Sequence, residues 1–237
     1  DVTKILHSKR ALYSPLLNDE GGILDDLIVY HLGNENFRII SNCGTREQNY
    51  ACFQKVASEF DVQIDFKSDA SIIALQGPNS MKNLSSLYDI KLEKFHLYQD
   101  EEVMIARTGY TGELGVEIIS DANKGSEIWD YFISRDIQPI GLAARDTLRL
   151  EAGFNLYGSD MTVENNPYDS NLEWTVDQSE QDRDYIGKKA LKHLQETKNR
   201  LVGFYTDARG VLRSGTKVSF EGGEGVITSG TWSPTFK

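Results

Sequence analysis

The stretch RTGYTGELGVEI, Arg107 to Ile118, limits the possible folds of this chain more than any other segment. Val103, Met104 and Ile105 precede it and the alternation Val116, Glu117, Ile118 follows, so two strands are interrupted by Gly109, Gly112 and Gly115. Glycine at such positions supplies either backbone freedom or room for a partner to approach. A phosphate cradle is excluded, because the glycines run into strand-like residues rather than opening a helix, and no Gly-Lys-Ser/Thr follows. Two readings stay open: a turn built to hold something, or an ornate hairpin.

Composition narrows the function classes. With 36 acidic against 25 basic residues the formal charge is −11, so a nucleic-acid or anionic-membrane surface would oppose the overall field; neither is expected as a partner. The 237 residues suffice for one large or two ordinary domains, and 39% hydrophobic with 26% charged residues suits a soluble globular protein. Cys43 and Cys52 offer neither a disulfide framework nor a metal-ligand spacing, and His7, His31, His96 and His193 are scattered. These six are read as structural and no metal is expected. No apolar run reaches transmembrane length and no signal peptide is visible, which predicts a reducing, soluble compartment; the location expected is cytoplasmic, or the mitochondrial matrix if the source is eukaryotic. Asp1 falls inside what reads as a turn and the chain stops at SGTWSPTFK after a strand-like GVIT, so segments missing at both ends are expected.

Residues 11–42 read as a meander: ALYSPLL, a turn at Asn18-Asp19-Glu20-Gly21-Gly22, ILDDLIVYHL, a turn at Gly33-Asn34-Glu35-Asn36, and FRIIS. Thr45 to Phe60 reads as a helix, with Thr45 and Gln48 at capping-box spacing and Tyr50, Phe53, Ala57 and Phe60 on one stripe. DVQIDF and SIIALQ return to strand, and a short helix follows Gly77-Pro78-Asn79. A helix from about Asn123 to Ser134 should turn Ile128, Trp129 and Phe132 inward, and GLAARDTLRLEAG reads as a helix ended by Gly153. A loop-rich stretch contains LEWTV and the helix IGKKALKHL; beyond Arg200, LVGFYT, GVLR, KVSF and GVIT read as short strands of a separate β module. Alternating strands and helices predict an α+β class.

Three constellations can carry chemistry. In ILDDLIVY, period two places Asp26, Ile28 and Tyr30 on one face and Asp25, Leu27 and Val29 on the other. A carboxylate among apolar neighbours could steer a proton or stabilise a cation; alternatively, both acids face water at the strand entrance. Glu117 follows the glycine-rich turn, and its two oxygens suit a ligand presenting an N–H beside an NH₂, as pterins and guanidinium-like groups do; an exposed strand position is the alternative. In GLAARDTLRLEAG, Arg145 and Arg149 stand four apart, a like-charge pair that Asp146 relieves at Arg149. Arg145 is then a candidate for Glu117 or a ligand carboxylate, or is simply solvated.

LLNDEGGILDDLIVY, SNCGTRE, ALQGPN, ARTGYTGELGVEI, GLAARDTLRLEAGFNLYG, NLEWTV, DYIGKKAL and EGVITSGTWSP, in this order, resemble the T-protein of the glycine cleavage system, a tetrahydrofolate-dependent aminomethyltransferase. The resemblance implies a multidomain fold of two ferredoxin-like α+β units and a carboxy-terminal β-barrel, here over residues 1–65, 66–196 and 197–237, with the amino-terminal part and the end of the barrel missing. It implies that Asp26 is the essential acid, that Tyr110 packs on the pterin and Glu117 takes its paired donors, and that Ile28, Tyr30, Ile40, Asn42, Arg145 and Trp174 fall on folate-pocket positions. The implied reaction transfers a methylene carbon from aminomethyl-lipoyl H-protein to tetrahydrofolate with release of ammonia, without a metal or covalent nucleophile. NPYDSNLEW, with Tyr168 and Glu173, departs from the smaller, more apolar residues usual there. Two alternatives belong to the same superfamily: a folate-dependent demethylase, and a non-enzymatic folate binder of iron–sulfur cluster assembly, whose Lys-Gly-Cys-Tyr-like motif is not present here.

Overall fold

A computed structural model of the chain describes residues 2–6, 9–177, 179, 183–194 and 199–236. His7 and the division expected near Thr197 lie outside the described residues. The meander forms as expected: β1 (Ala11–Leu17), β2 (Ile23–Gly33) and β3 (Asn36–Ser41) make one sheet in that order. β2 and β3 are antiparallel with Ile28 opposite Ile40. Asn34 and Glu35 both take positive φ (47° and 62°), the left-handed pair that a tight hairpin between twisted strands requires.

Helix α1 (Arg46–Ala57) starts one residue after Thr45, but no side-chain cap is made. The Thr45 hydroxyl instead donates to the Asn42 carbonyl and accepts from the Asn49 amide, so the expected capping box is absent. Asn49, not the aromatic stripe, is the residue α1 buries, and Phe60 beyond it is 63% exposed. Asp61–Phe66, expected as a strand, pairs with none; its alternating apolar residues stay exposed, with Phe66 resting on the Tyr50 ring at 4.9 Å.

The second sheet positions the glycine-rich turn. β4 (Ala70–Gln76), α2 (Ser80–Leu84), β5 (Leu97–Gln99), β6 (Val103–Ala106), β7 (Gly115–Asp121) and α3 (Ala122–Ile133) follow in sequence, and the strands order as β4-β7-β6-β5. Period two sorts its side chains onto two faces. Leu75, Val103, Ile105, Val116 and Ile118 pack with Leu84 of α2 and Ile128 and Phe132 of α3. Leu97, Met104, Ala106 and Ile119 pack with Ala11 and Tyr30, and Ile28 and Ile40 join them from β2 and β3. Asp121 caps α3 by accepting from the Lys124 amide at 2.8 Å. Ile128 and Phe132 turn inward as expected, but Trp129 is 47% exposed, because it sits on the rim of the helix beside Ser71 and Ile73 rather than on its inner stripe.

Helix α4 (Leu142–Glu151) ends where glycine predicts. Gly153 takes φ +72°, its amide donates to the Leu150 carbonyl at 3.0 Å, and the Phe154 amide donates to Arg149 at 2.9 Å, the paired bonds of a Schellman termination. α5 (Lys188–Leu191) is a single turn. Among the described residues after Arg200, only β8 (Lys217–Phe220) and β9 (Gly223–Val226) pair, as one antiparallel hairpin. LVGFYT and GVLR are not strands; the Leu201 amide and carbonyl are taken up by the Asp169 carbonyl and the Asn171 side chain.

Internal contacts divide the chain into two compact units, residues 1–13 with 27–141 and residues 14–26 with 142–237. The partition differs from divisions after residues 65 and 196, because the cluster of Tyr30, Ile28 and Ile40 on Met104, Ala106 and Ile119 binds the meander to the second sheet.

Arg149 organises the second unit. Although charged it is 2% exposed, and its guanidinium donates to Asp160 at 2.5 Å, Asp146 at 2.8 Å, the Phe154 carbonyl and the Ser229 hydroxyl. Asp160 also accepts from the Leu156 amide and the Thr228 hydroxyl. Burial pushes the Asp160 carboxyl up, but hydrogen bonds from Thr228, Ser229, Leu156 and Arg149 outweigh it and hold the group below its ordinary value of 3.8. A depressed carboxyl stabilises the fold above its unfolded value and ceases to do so as pH falls through the folded one. Arg149→Met should therefore cost about 3 kcal/mol in urea unfolding at pH 7 by leaving Asp160 buried without its cation. The wild-type advantage over Asp160→Asn should shrink as the pH is lowered from about 5 to 2.

Candidate functional site

Glu117 stands at the centre of β7, on the face opposite α2 and α3. Its cross-strand neighbours are Ala74 of β4 and Ala106 of β6, so small side chains flank a half-buried carboxylate on both sides. Period two alone left its direction open; the apolar character of Val116 and Ile118, drawn to the helices, turns Glu117 the other way. Its Oε2 accepts the Thr108 hydroxyl at 2.6 Å, and Thr108 Oγ1 lies 3.4 Å from the Tyr30 hydroxyl. Burial, reinforced by the negative charge of Glu117, pushes the Tyr30 phenol well above its ordinary value against the opposing effect of the Thr108 hydrogen bond. Tyr30 is neutral at any physiological pH.

The glycines of the turn have separate reasons. Gly112 takes φ +74°, a left-handed conformation that closes the loop. Gly109 and Gly115 leave room for the side chain of Gln76 at the end of β4. A Cβ at Gly109 would lie 2.6 Å from Gln76 Cδ, and one at Gly115 would lie 2.6 Å from the same atom and 2.5 Å from the Leu75 carbonyl oxygen. In that space the Gln76 amide donates to the Thr108 and Val116 carbonyls at 3.2 and 3.0 Å, and its oxygen accepts from Thr111 at 3.1 Å. The turn is thus fastened across the sheet by one amide, and the Gly77 amide and Ser80 hydroxyl hold its far end through the Leu114 carbonyl. Neither Gln76 nor Thr108 was singled out from sequence. The signal available was a strand-terminal glutamine in a chain with a glycine-rich turn between two strands.

The remaining candidates are distributed as follows. Ile28 and Ile40 face each other across β2 and β3, half-buried against the cluster that contains Tyr30. Asn42 and Tyr110 are half-buried in the same unit. Asp26 is half-buried and belongs to the second unit, as do Arg145 and Trp174, both exposed. Asp25 is fully buried, which overturns the alternative that both acids face water; it shares with Leu27 and Val29 the buried row of β2. Both aspartates, after burial, push the nearby Tyr157 hydroxyl upward. Arg149 accounts for both of its neighbouring acids, Asp146 and Asp160. Among the described residues no group of three or more His, Cys, Asp or Glu is placed to hold a metal, and no helix is long and apolar enough to cross a membrane.

The glycine assignments make a suppressor test possible. Gly109→Ala should destabilise the protein by about 1–3 kcal/mol through overpacking against the Gln76 side chain, and Gln76→Ala should relieve most of that loss. Gly115→Ala should resist the same rescue, because the Leu75 carbonyl remains in the way. Thermal unfolding of the three single variants, the two double variants and the wild type would decide; equal rescue at both positions would contradict the assignment.

The GCVT N-terminal domain family matches residues 2–180. Aminomethyltransferase of Francisella tularensis subsp. tularensis is 43% identical over 248 aligned residues, covering 100% of this chain and 69% of the relative. That of Francisella philomiragia is 42% identical with the same coverage. The crystal structure of glycine cleavage system aminomethyltransferase T from Bartonella henselae superposes with a TM-score of 0.88 at 34% identity, covering 98% of this chain and 66% of that one. The chain spans about two thirds of the length of these proteins. The antiparallel α+β architecture agrees with that match, and the chain belongs to the GCVT family of glycine cleavage T-proteins.

Proposed function

We propose that the intact protein is the tetrahydrofolate-dependent aminomethyltransferase of the glycine cleavage system. The observation that carries the proposal is Glu117: a half-buried carboxylate flanked by Ala74 and Ala106, beside a turn fixed by the Gln76 side chain in the space that Gly109 and Gly115 leave. A carboxylate in that setting can accept two parallel N–H donors, as the pterin edge of folate presents them. Tyr110 on the same turn offers a ring for the pterin face, and Ile28, Ile40 and Asn42 lie on the meander of the same unit. Arg145 and Trp174 keep roles toward folate on the family resemblance alone.

In the proposed reaction the carbon leaves both the sulfur and the nitrogen of aminomethyl-lipoyl H-protein and is captured by two folate nitrogens. The two protons released go to the departing ammonia and to the lipoyl thiolate, so no external oxidant or reductant enters. Asp26, two residues along β2 from Ile28, would offset positive charge as the carbon becomes iminium-like, with substrate positioning supplying much of the remainder.

The proposal predicts that Asp26→Asn lowers turnover by about tenfold to a thousandfold with folate affinity little changed. Asp25 is the internal control: because it is buried, Asp25→Asn should lower the melting temperature while the folded fraction retains turnover near wild type. An assay of the full-length protein with lipoylated H-protein and with methylated amines distinguishes the transferase from a demethylase. Turnover of the methylamines alone would reject the transferase.

A further inference from the structure

We infer that Thr108 is the positioning residue for Glu117, and that Tyr30 acts behind it as the donor at the start of a one-way hydrogen-bond chain. The inference rests on the reading of Glu117 as the folate acid and deepens it. An ionised carboxylate only accepts, so the single hydroxyl proton of Thr108 goes to Glu117 Oε2 at 2.6 Å. The Thr108 oxygen is then left with acceptor capacity only, and the Tyr30 hydroxyl at 3.4 Å must donate to it. The outer link is long and the inner one short and charge-assisted, so most of the orienting effect resides in Thr108.

The chain is set deep. Tyr30 is 1% exposed and Thr108 8%, whereas Glu117 is only half-buried, so the first two groups lie on the protein side of the carboxylate and leave its outer side for a partner. Tyr30 is held in the buried cluster of Ala11, Leu97, Met104, Ala106 and Ile119. Thr108 is fixed through its carbonyl by the Gln76 amide. One rotamer of Glu117 is thereby selected before any ligand arrives, which lowers the conformational cost of binding.

A double-mutant cycle in the full-length protein tests this, reading tetrahydrofolate affinity by calorimetry together with kcat and KM. Thr108→Val should weaken folate binding about five- to fiftyfold and raise KM, with kcat at saturating folate within about twofold of wild type. Thr108→Ser, which restores the hydroxyl, should recover most of the affinity; Thr108→Ala serves in place of valine if the branched side chain is not tolerated. In a Glu117→Gln background Thr108→Val should add little, because the group it orients has already changed. If Glu117→Gln weakens binding while Thr108→Val is silent, or if the two losses simply add, the positioning role is wrong and the folate assignment stands. A silent Glu117→Gln rejects the folate assignment itself, and the inference falls with it.

Discussion

A carboxylate in the middle of a four-stranded sheet persists only where it has room, a donor and a way out to a solvent or ligand. In β7 these requirements meet at one residue. Val116 and Ile118 commit one face of the strand to Leu84, Ile128 and Phe132, and the backbone pleat leaves Glu117 no alternative but the other. Alanines on both neighbouring strands keep that face shallow around it, and Thr108 supplies the donor. Moving the pairing of β7 by one residue would bury the acid among the helices and expose two β-branched side chains. The position of the acid and the hydrophobic core of this unit are therefore one constraint.

The glycine-rich turn follows from the same arrangement. It must travel from the end of β6 to the start of β7 while passing close to the end of β4, and Gln76 fills the gap that two absent side chains leave. Its amide donates to the Thr108 and Val116 carbonyls, and so converts a loop of small residues into a fixed edge beside Glu117. The second unit uses a comparable device on a larger scale. Arg149 joins α4, the loop at Phe154 and Asp160, and Ser229 near the end of the described chain.

Sequence reasoning recovered whatever depends on local periodicity and turn chemistry. The meander of β1 to β3, the turn at Gly33-Asn34-Glu35-Asn36, α3, and the stop of α4 at Gly153 are all written in short windows. It failed where a distant partner decides. DVQIDF alternates like a strand but has no ladder to join, and Trp129 has the spacing of a core residue yet lies on the rim of its helix. Thr45 precedes α1 as a cap should, but its hydroxyl turns to Asn42. At the site, Glu117 was legible as an acid beside a special turn. Thr108 and Gln76 were not, because the Thr108–Glu117 contact joins residues nine positions apart and those of Gln76 join residues 32 to 40 positions apart. The depth of Arg149 was likewise hidden, although its pairing with Asp146 follows from helix spacing.

The proposed function makes folate the ligand of this face of the sheet. The most direct measurement is a crystal structure of the full-length protein with tetrahydrofolate bound. The account predicts the pterin N–H groups on the outer side of the Glu117 carboxylate, Thr108 still donating to its inner oxygen, and the Tyr110 ring against the pterin. A pterin seated elsewhere, with Glu117 facing only water or Thr108 turned away from it, would contradict the account.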